Sequence, residues 1–433
     1  MFKDKKAAFY TLGCKLNFSE TSTISRQLSE LGFIKVDFDT VADLYVINTC
    51  SVTENANREC RRIIRKARRN SPSSFIVVTG CFAQLKPKEI QAIEGVDMIL
   101  GANEKFNLNS LLTNLRKVKE TEIHGCEIGN LNYFSSYSLN DRTRSFLKIQ
   151  DGCDYPCTYC TIPLARGKSR SDSIKNIITN AKEIASKGIQ EVVITGVNIG
   201  DFKDNETNKG FGDLINELDQ IKGIERYRIS SIEPNLITDK IIDTVKKSSK
   251  FMPHFHIPLQ SGSDIILAKM KRRYQTRMYL DKTKKITEEI KNVCIGADVI
   301  VGFPGETEKE FKKTMNLIKD SPISYLHVFS YSERENTLAV GFTNKIDKKT
   351  KAERSKKLRI LSSKLQRSFY SKQLNTKQTA LFENTNHNGM LYGFTDNYIK
   401  VKIPFEKKIC KTKQQIELLK IDPDGIMQAI LIP

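Results

Sequence analysis

Short apolar runs punctuate the first ~120 residues: AAFYTLG (Ala7–Gly13), LYVINT (Leu44–Thr49), FIVVTG (Phe75–Gly80) and MILG (Met98–Gly101). Between them apolar positions fall at helical spacing, as in ETSTISRQLSELG. Strand alternating with helix predicts a parallel α/β sheet. The stretch NLNYFSSYSLNDRTR (Asn130–Arg144) is polar and follows neither period, which is the composition of a linker. A second series begins at Ser145: RSFLKIQDG, EVVITGVNIG, RYRISSIEP, HFHIPLQSG, IGADVIVGFPG and YLHVFSYS read as strands. Helical patterns such as DSIKNIITNAKEIASKG separate most of them. Repeated strand–helix units of this kind predict a partial (β/α) barrel, with chemistry on the loops after the strand C-termini. A basic amphipathic helix follows, carrying Leu358, Leu361, Leu365 and Phe369 on one face. From about Lys377 the pattern becomes short, alternating and turn-punctuated (TALFEN, MLYGFTDNYIKVKIP, IMQAILIP), which predicts a small β-barrel. The expectation is an α/β multidomain chain: an N-terminal parallel α/β domain over 1–120, a linker over 121–143, a partial barrel with its basic helix over 144–374, and a small β-barrel over 375–433.

Composition adds three constraints. Hydrophobic residues make up 39% of the 433 and charged residues 28%, which suits a globular protein with real cores. No apolar run approaches the ~20 residues of a membrane span, and the N-terminus runs straight into a strand without a signal-type segment. The expectation is a cytoplasmic protein with no membrane partner. Ten cysteines in a reducing compartment are then metal ligands, nucleophiles or packing residues before they are disulfides. Lysine plus arginine exceeds aspartate plus glutamate by 70 − 50 = 20. A lysine-rich, AT-biased proteome gives such an excess, and so does a polyanionic partner such as nucleic acid.

The cysteines form two sets. Cys14, Cys50 and Cys81 each end a strand of the expected parallel sheet, and parallel strands end on one edge, so these three residues converge in the usual ligand crevice. Taken singly, each is equally a small buried hydrophobe. Cys153, Cys157 and Cys160 lie in DGCDYPCTYC, just after the first barrel strand. Structural zinc or a redox pair are the plain readings. Zinc sites more often come as two CxxC pairs, and the chain has only five histidines to complete one. A [4Fe–4S] cube held by three thiolates leaves one iron open to a small chelator. Cys60, Cys126, Cys294 and Cys410 have no such positional logic and are read as packing or surface thiols.

The series TLGCKLN, VINTCSV, VTGCFAQ, QDGCDYPCTYCTIPLARGKSRS, TGVNIGDF, SSIEP, HIPLQSGSDIILAKMKRRY, GADVIVGFPGET and FSYSEREN resembles the radical S-adenosylmethionine (SAM) methylthiotransferases along nearly the whole chain. The resemblance implies an N-terminal cluster domain, a radical SAM domain and a C-terminal RNA-binding barrel of the TRAM type. It implies two [4Fe–4S] clusters, one on Cys14, Cys50 and Cys81 and one on Cys153, Cys157 and Cys160. SAM would chelate the open iron of the second cluster, and its reductive cleavage would give a 5′-deoxyadenosyl radical. That radical is needed for a C–H bond beyond the reach of a side-chain base. The first cluster would deliver sulfur, and a second SAM its methyl group.

Several barrel positions are candidates for SAM contact: Tyr159 before the last ligand, Glu233 in SSIEP, Gln260 in HIPLQSGS, Asp298, and the GFPGE turn. Each is equally a hydrogen-bonded support of the barrel rim. His256, inside a strand, is read as a satisfied core imidazole. In NRECRRIIRKARRN there are seven basic residues and one acid between Arg58 and Arg69. Arg58, Arg61, Arg62, Arg65 and Arg69 largely share one side at helical spacing, while Ile63, Ile64 and Ala67 face inward. Such a face is either solvated or a phosphate-binding surface. LARGKSR and KMKRRY add basic points near the barrel mouth. Within the family the motifs are most similar to the subgroup acting on N6-threonylcarbamoyladenosine 37 of tRNA. The subgroup acting on N6-isopentenyladenosine 37 comes second, and one acting on an aspartate of a small-subunit ribosomal protein third. A small reductant such as a flavodoxin or ferredoxin and a monomeric state are expected. A non-catalytic RNA-binding protein with structural zinc is the reading from another class, and it predicts a colourless preparation.

Overall fold

The computed structural model describes residues 2–125, 127–128, 131–139 and 142–432. Cys126 lies outside the described residues. Strands β1 (Lys6–Thr11), β2 (Ile34–Val36), β3 (Leu44–Thr49), β4 (Phe75–Gly80), β5 (Met98–Leu100) and β6 (Glu122–His124) form one parallel sheet in the order β2-β1-β3-β4-β5-β6. LYVINT is buried at every position because both faces of its strand are covered. Tyr45 and Ile47 meet Ile63, Ile64 and Phe82 on one side, while Leu44 and Val46 meet Ile24 and Leu28 on the other. The two edge strands were not anticipated. IKV and EIH are three residues each and mostly exposed, so neither shows a burial period. The sixth strand carries the sheet into the stretch expected as linker.

The central series forms β7 (Ser136–Tyr137), β8 (Ser145–Lys148), β9 (Gln150–Asp151), β10 (Arg170–Ser171), β11 (Glu191–Thr195), β12 (Arg226–Ile229), β13 (His254–His256), β14 (Cys294–Val301) and β15 (Tyr325–Ser330). Parallel pairing runs β8-β11-β12 and β13-β14-β15, with bridges Tyr227–Phe251 and Ser231–His256 joining the two halves. The six expected barrel strands are all present. Their period of two sorts the side chains. Leu147, Val192, Ile194, Tyr227, Ile229, Phe255, Ala297 and Val299 pack outward under the helices in the largest core. The alternate positions, among them Lys148, Glu191, Arg226, Arg228, His254, His256 and Asp298, therefore face the lumen.

The tail closes into a barrel of five strands, β16 (Lys377–His387), β17 (Met390–Thr395), β18 (Lys400–Pro404), β19 (Lys413–Ile421) and β20 (Met427–Leu431), ordered β16-β17-β18-β20-β19. KQQIELLKI escaped recognition in the sequence because its composition suits a helix. Only its pairing with β16 and β20 makes it a strand. This barrel caps the N-terminal end of the lumen. Arg226 donates to the carbonyls of Phe394 (3.2 Å) and Thr379 (2.9 Å), and Arg228 to those of Asp396 (2.9 Å) and Thr395 (2.7 Å).

Candidate active site between two thiolate trios

Strands β1, β3 and β4 are neighbours, with Thr11 opposite Asn48 and Thr49 opposite Gly80, so Cys14, Cys50 and Cys81 emerge side by side from one sheet edge. Cys14 caps the Lys15–Glu30 helix and Cys81 opens the Cys81–Leu85 helix. Gly13 allows this approach. Its φ of +98° suits glycine, and a Cβ there would stand 2.8 Å from Cys50 Cβ and 3.0 Å from its Sγ. Burial, then the nearby Cys81 and Cys14, pushes the Cys50 thiol up to about 12. Burial raises Cys81 as well. Cys60 lies behind the trio, buried, its thiol donating to the Cys50 carbonyl at 3.4 Å.

The second trio occupies the loop after β9. Its sulfurs already accept hydrogen bonds: Cys153 Sγ from Tyr155 N (3.4 Å), Cys160 Sγ from Ile162 N (3.4 Å) and Cys157 Sγ from Arg272 Nη1 (3.2 Å). Burial pushes Cys153 up to about 11 and Cys160 to about 12. Buried thiols of this kind are poor free nucleophiles and need a metal to displace their protons. A tetrahedral zinc holds its sulfurs about 3.8 Å apart. Among the described residues, the one group of three or more His, Cys, Asp or Glu ligand atoms lying within 4.8 Å of each other is His256, Asp298 and His327. Neither trio closes to single-ion spacing. Three sulfurs on separate corners of a larger cluster suit both sites.

A cavity of about 250 Å³ is lined by Cys160 of the second trio with Tyr159 and Thr161, and by Val52 and Thr53, which follow Cys50 of the first. Gln260, Asp298, Ile300 and Phe329 are among the rest of its lining. Gln260 holds a left-handed backbone (φ +60°), and its buried Oε1 has no hydrogen-bond partner. A buried acceptor left without a partner, in a residue that lines this cavity, fits a polar cofactor. Tyr159 is wedged edge-on against Phe303, with its hydroxyl 3.4 Å from Arg272. Glu233 is ion-paired to Arg272. Burial raises its carboxyl and Arg272 pulls it back. Asp298 lines the cavity and accepts from His256 Nε2 (2.9 Å) and His327 Nδ1 (3.3 Å) on one oxygen. Burial would raise this carboxyl, but the two imidazoles outweigh it and hold it far below the usual range. His256 is thus satisfied, as expected, but on the lumen face and by a carboxylate. His327 was missed: in YLHVFSYS it reads as one polar position in a strand.

Two basic motifs read as points near the barrel mouth turn inward instead. Arg166 of LARGKSR is 3% exposed and donates to Glu20 (3.0 Å), Asp151 (2.9 Å) and Asn17 (2.6 Å), tying the helix after Cys14 to the short Ile162–Arg166 helix after Cys160. Arg272 of KMKRRY packs against Cys157 and Glu233. Arg166 follows the second cysteine motif by six residues, which was the available signal, whereas Arg272 lies more than a hundred residues from that motif and carried none. A buried guanidinium requires a carboxylate or thiolate partner. Lys15, next to Cys14, reaches across to donate to Ser230 Oγ at 3.5 Å at the end of β12. Its enclosure, then Arg144 and Arg228, lowers it to about 8.

The arginine-rich helix spans Glu54–Asn70, with Ala56 N donating to Thr53 Oγ1 (3.2 Å) at its cap and Cys60, Ile63, Ile64 and Ala67 buried. Arg58, Arg62, Arg65 and Arg69 are exposed. Arg61 instead turns to Glu54 (2.8 Å) and Glu89 (3.2 Å), and Arg62 also meets Glu59 (2.6 Å). Arg62, Arg65, Arg68 and Arg69 line an open groove beside Pro72.

Comparison with known proteins agrees with this arrangement. Residues 6–101 match the uncharacterized protein family UPF0004, and residues 147–318 match the radical SAM superfamily. The chain is 38% identical over 424 residues to the threonylcarbamoyladenosine tRNA methylthiotransferase MtaB of Bacillus subtilis, covering 95% of this chain and 93% of that protein. Its counterpart in Aquifex aeolicus is 36% identical, covering 94% and 98%. The tRNA-2-methylthio-N(6)-dimethylallyladenosine synthase of Clostridium botulinum is 33% identical, covering 80% and 79%. Among solved structures, the radical SAM methyltransferase TsrM of Kitasatospora setae superposes with a TM-score of 0.55 at 13% identity, over 75% of this chain and 73% of that one, a likeness of fold. With matched relatives of this length and identity, and all six cysteines of the two trios in their motifs, the chain belongs to the radical SAM methylthiotransferases, in the threonylcarbamoyladenosine tRNA methylthiotransferase group.

Proposed function

We propose that the protein replaces the C2 hydrogen of N6-threonylcarbamoyladenosine 37 of tRNA with a methylthio group. In this reading Cys153, Cys157 and Cys160 hold the [4Fe–4S] cluster that binds SAM, and Cys14, Cys50 and Cys81 hold a second. The observation that carries it is the cavity of about 250 Å³ lined by Cys160 of one trio and by Val52 and Thr53, the residues that follow Cys50 of the other. When bound, these groups supply the one-electron chemistry and the sulfur. The chain's own residues hold and shape. Tyr155 N, Ile162 N and Arg272 orient and stabilise the three sulfurs. Gln260 offers its unpartnered oxygen to a polar cofactor, with Tyr159, Glu233 and Asp298 around it. Ile300 and Phe329 line the cavity and reduce access of water to a reactive centre.

Residues 1–120 act as the first cluster domain, with β6 from the 121–143 segment completing its sheet before the chain crosses as a linker, 144–374 act as the SAM domain, and 375–433 as an RNA-binding barrel of the TRAM type. The exposed face of Arg58, Arg62, Arg65 and Arg69 suits the phosphates of an anticodon stem-loop, with Arg61 braced alongside. No helix among the described residues is long and apolar enough to cross a membrane. A cytoplasmic monomer, reduced by a flavodoxin or ferredoxin, completes the proposal. The protein prepared without oxygen should carry about eight irons, falling to about four in Cys157→Ala, and should release 5′-deoxyadenosine on reduction with SAM. Nucleoside mass spectrometry of tRNA treated with the protein decides the substrate. Methylthiolation of isopentenyladenosine alone would transfer it to the other tRNA subgroup, and an iron-free zinc protein would end the enzymatic reading.

A further inference from the structure

Nearly every cation around the lumen already has an anionic partner. Arg144 meets Glu191 at 3.0 Å and also Glu383. Arg226 meets Asp396 at 2.6 Å, and Arg228 meets Glu191 at 2.8 Å. Lys148 lies 3.5 Å from Asp151, and the two imidazoles share Asp298. Lys15 is the exception. Its side chain is solvent-accessible, its hydrogen bond goes to the neutral Ser230 Oγ, and among the described residues no carboxylate lies within ion-pair distance of its Nζ. Arg144 and Arg228 act on it as like charges, Asp298 as an opposite one. An ammonium held beside the C-terminal end of β12, open to solvent and without a counter-charge of its own, is poised for an anion that arrives from outside.

We propose that Lys15, steadied by Ser230, receives the carboxylate of the N6-threonylcarbamoyl group and so selects that acid over a neutral N6 substituent. The proposal rests on the substrate reading above and adds the residue that enforces it. An isopentenyl chain in the same place would leave the ammonium without a partner and bury an alkyl group against it. This is rejection by an unpaired polar group, the stronger form of discrimination. A backbone phosphate, or the carboxylate of SAM itself, shares the chemistry, so the test must separate the three.

The full-length protein, with iron restored, is compared as wild type, Lys15→Met and Lys15→Arg. The ligands are anticodon stem-loops bearing unmodified adenosine, threonylcarbamoyladenosine, or its threonine amide at position 37. Wild type is expected to bind the acid roughly 10- to 100-fold more tightly than the amide, the span of a charge-assisted contact. Lys15→Met should bring that ratio to about 1 and leave binding of the amide and unmodified loops unchanged, with Lys15→Arg recovering most of the preference. A ratio in Lys15→Met equal to that of wild type overturns the proposal, as does a wild type that binds acid and amide alike. Parallel weakening of all three loops assigns Lys15 to a phosphate and overturns it too. Weaker SAM binding without RNA assigns it to the cofactor, loss of iron assigns it to the neighbouring thiolates, and either result overturns the proposal. If wild type methylthiolates isopentenyladenosine but never threonylcarbamoyladenosine, the substrate reading itself has failed, which is a different result from any of these.

Discussion

Glu20 offers the sharpest physical test, because it lies 0% exposed between the two halves of the site. It faces Lys105 Nζ at 2.6 Å, Arg166 Nη1 at 3.0 Å and Lys148 Nζ at 3.6 Å. Burial alone would raise its carboxyl, but Arg166, Lys105 and Lys148 outweigh burial and hold it at about 2, against an ordinary 4.5. At 1.36 kcal/mol per pH unit the difference corresponds to about 3 kcal/mol of folding stability. A depressed carboxyl contributes fully above its unfolded value, so this stability is present above about pH 4.5 and drains away as pH falls towards 2. Glu20→Gln removes the charge and strands cations that otherwise share only Asp151, for which breaking a buried pair costs about 3–5 kcal/mol. The chain has no tryptophan, so far-UV circular dichroism in urea is the practical probe, with the exposed Glu30→Gln as control. Glu20→Gln should lose about 3 kcal/mol at pH 7, the gap to wild type should narrow in acid, and Glu30→Gln should stay within about 0.5 kcal/mol. A double-mutant cycle with Arg166→Gln should show a coupling of about 2 kcal/mol or more. If Glu20→Gln unfolds with wild type, or the cycle closes near zero, the buried network does not join the N-terminal domain to the barrel.

Further predictions concern the loaded sites and the RNA face. Arg272→Gln should keep its iron but lower the midpoint potential of the SAM-binding cluster by roughly 60 mV, the one-electron equivalent of one charge-assisted bond to Cys157. An unchanged potential in a titration followed by electron paramagnetic resonance would show that the contact does no electrostatic work. Gly80→Ala should cost about 2 kcal/mol or more and leave about four irons in place of about eight. Its φ is +95°, and a Cβ there runs into the Thr49 backbone and the Asn48 side chain beside the first trio. Full iron content in that variant would contradict it. Arg65→Gln on the exposed helix face should weaken tRNA binding and flatten the slope of log K against log salt by roughly 0.7–0.9. A slope equal to wild type removes Arg65 from the phosphate surface.

The alternation of apolar runs revealed most of the fold because parallel strands, buried on both faces, write themselves as continuous hydrophobic segments. LYVINT and FIVVTG have the predicted limits. Elements whose burial is one-sided or set by pairing stayed hidden: the edge strands IKV and EIH, and KQQIELLKI in the small barrel. At the site, Cys14, Cys50 and Cys81 were legible from their common place after three strands, which needs only topology. Where the charged side chains go was not legible. Arg61 and Arg65 lie in the same stretch of sequence, yet one is held by two glutamates and the other is exposed. Arg166 and Arg272 look like surface cations until the fold brings acids or sulfur to them. Local sequence carries a residue's charge but not the position of its counter-charge, which is set by contacts more than a hundred residues away, such as Arg166 to Glu20.

That principle also explains why the lumen must be assembled from three parts of the chain. A (β/α) barrel of ordinary type fills its interior with branched apolar side chains, and this one lines it with Glu191, Arg226, Arg228, His254, His256 and Asp298. Such a lining is tolerable only if each group finds a partner, and the strands alone do not supply enough. The small barrel provides four carbonyls to Arg226 and Arg228, and Tyr398 stacks on His254 at 4.3 Å. The N-terminal domain provides Glu20 to Arg166 and Lys148. The polar interior therefore couples the domain expected to grip RNA, the domain expected to carry sulfur and the barrel between them through the same buried charges. A cation left over from that pairing, as Lys15 is, stands out because the rest of the lumen is so nearly neutralised.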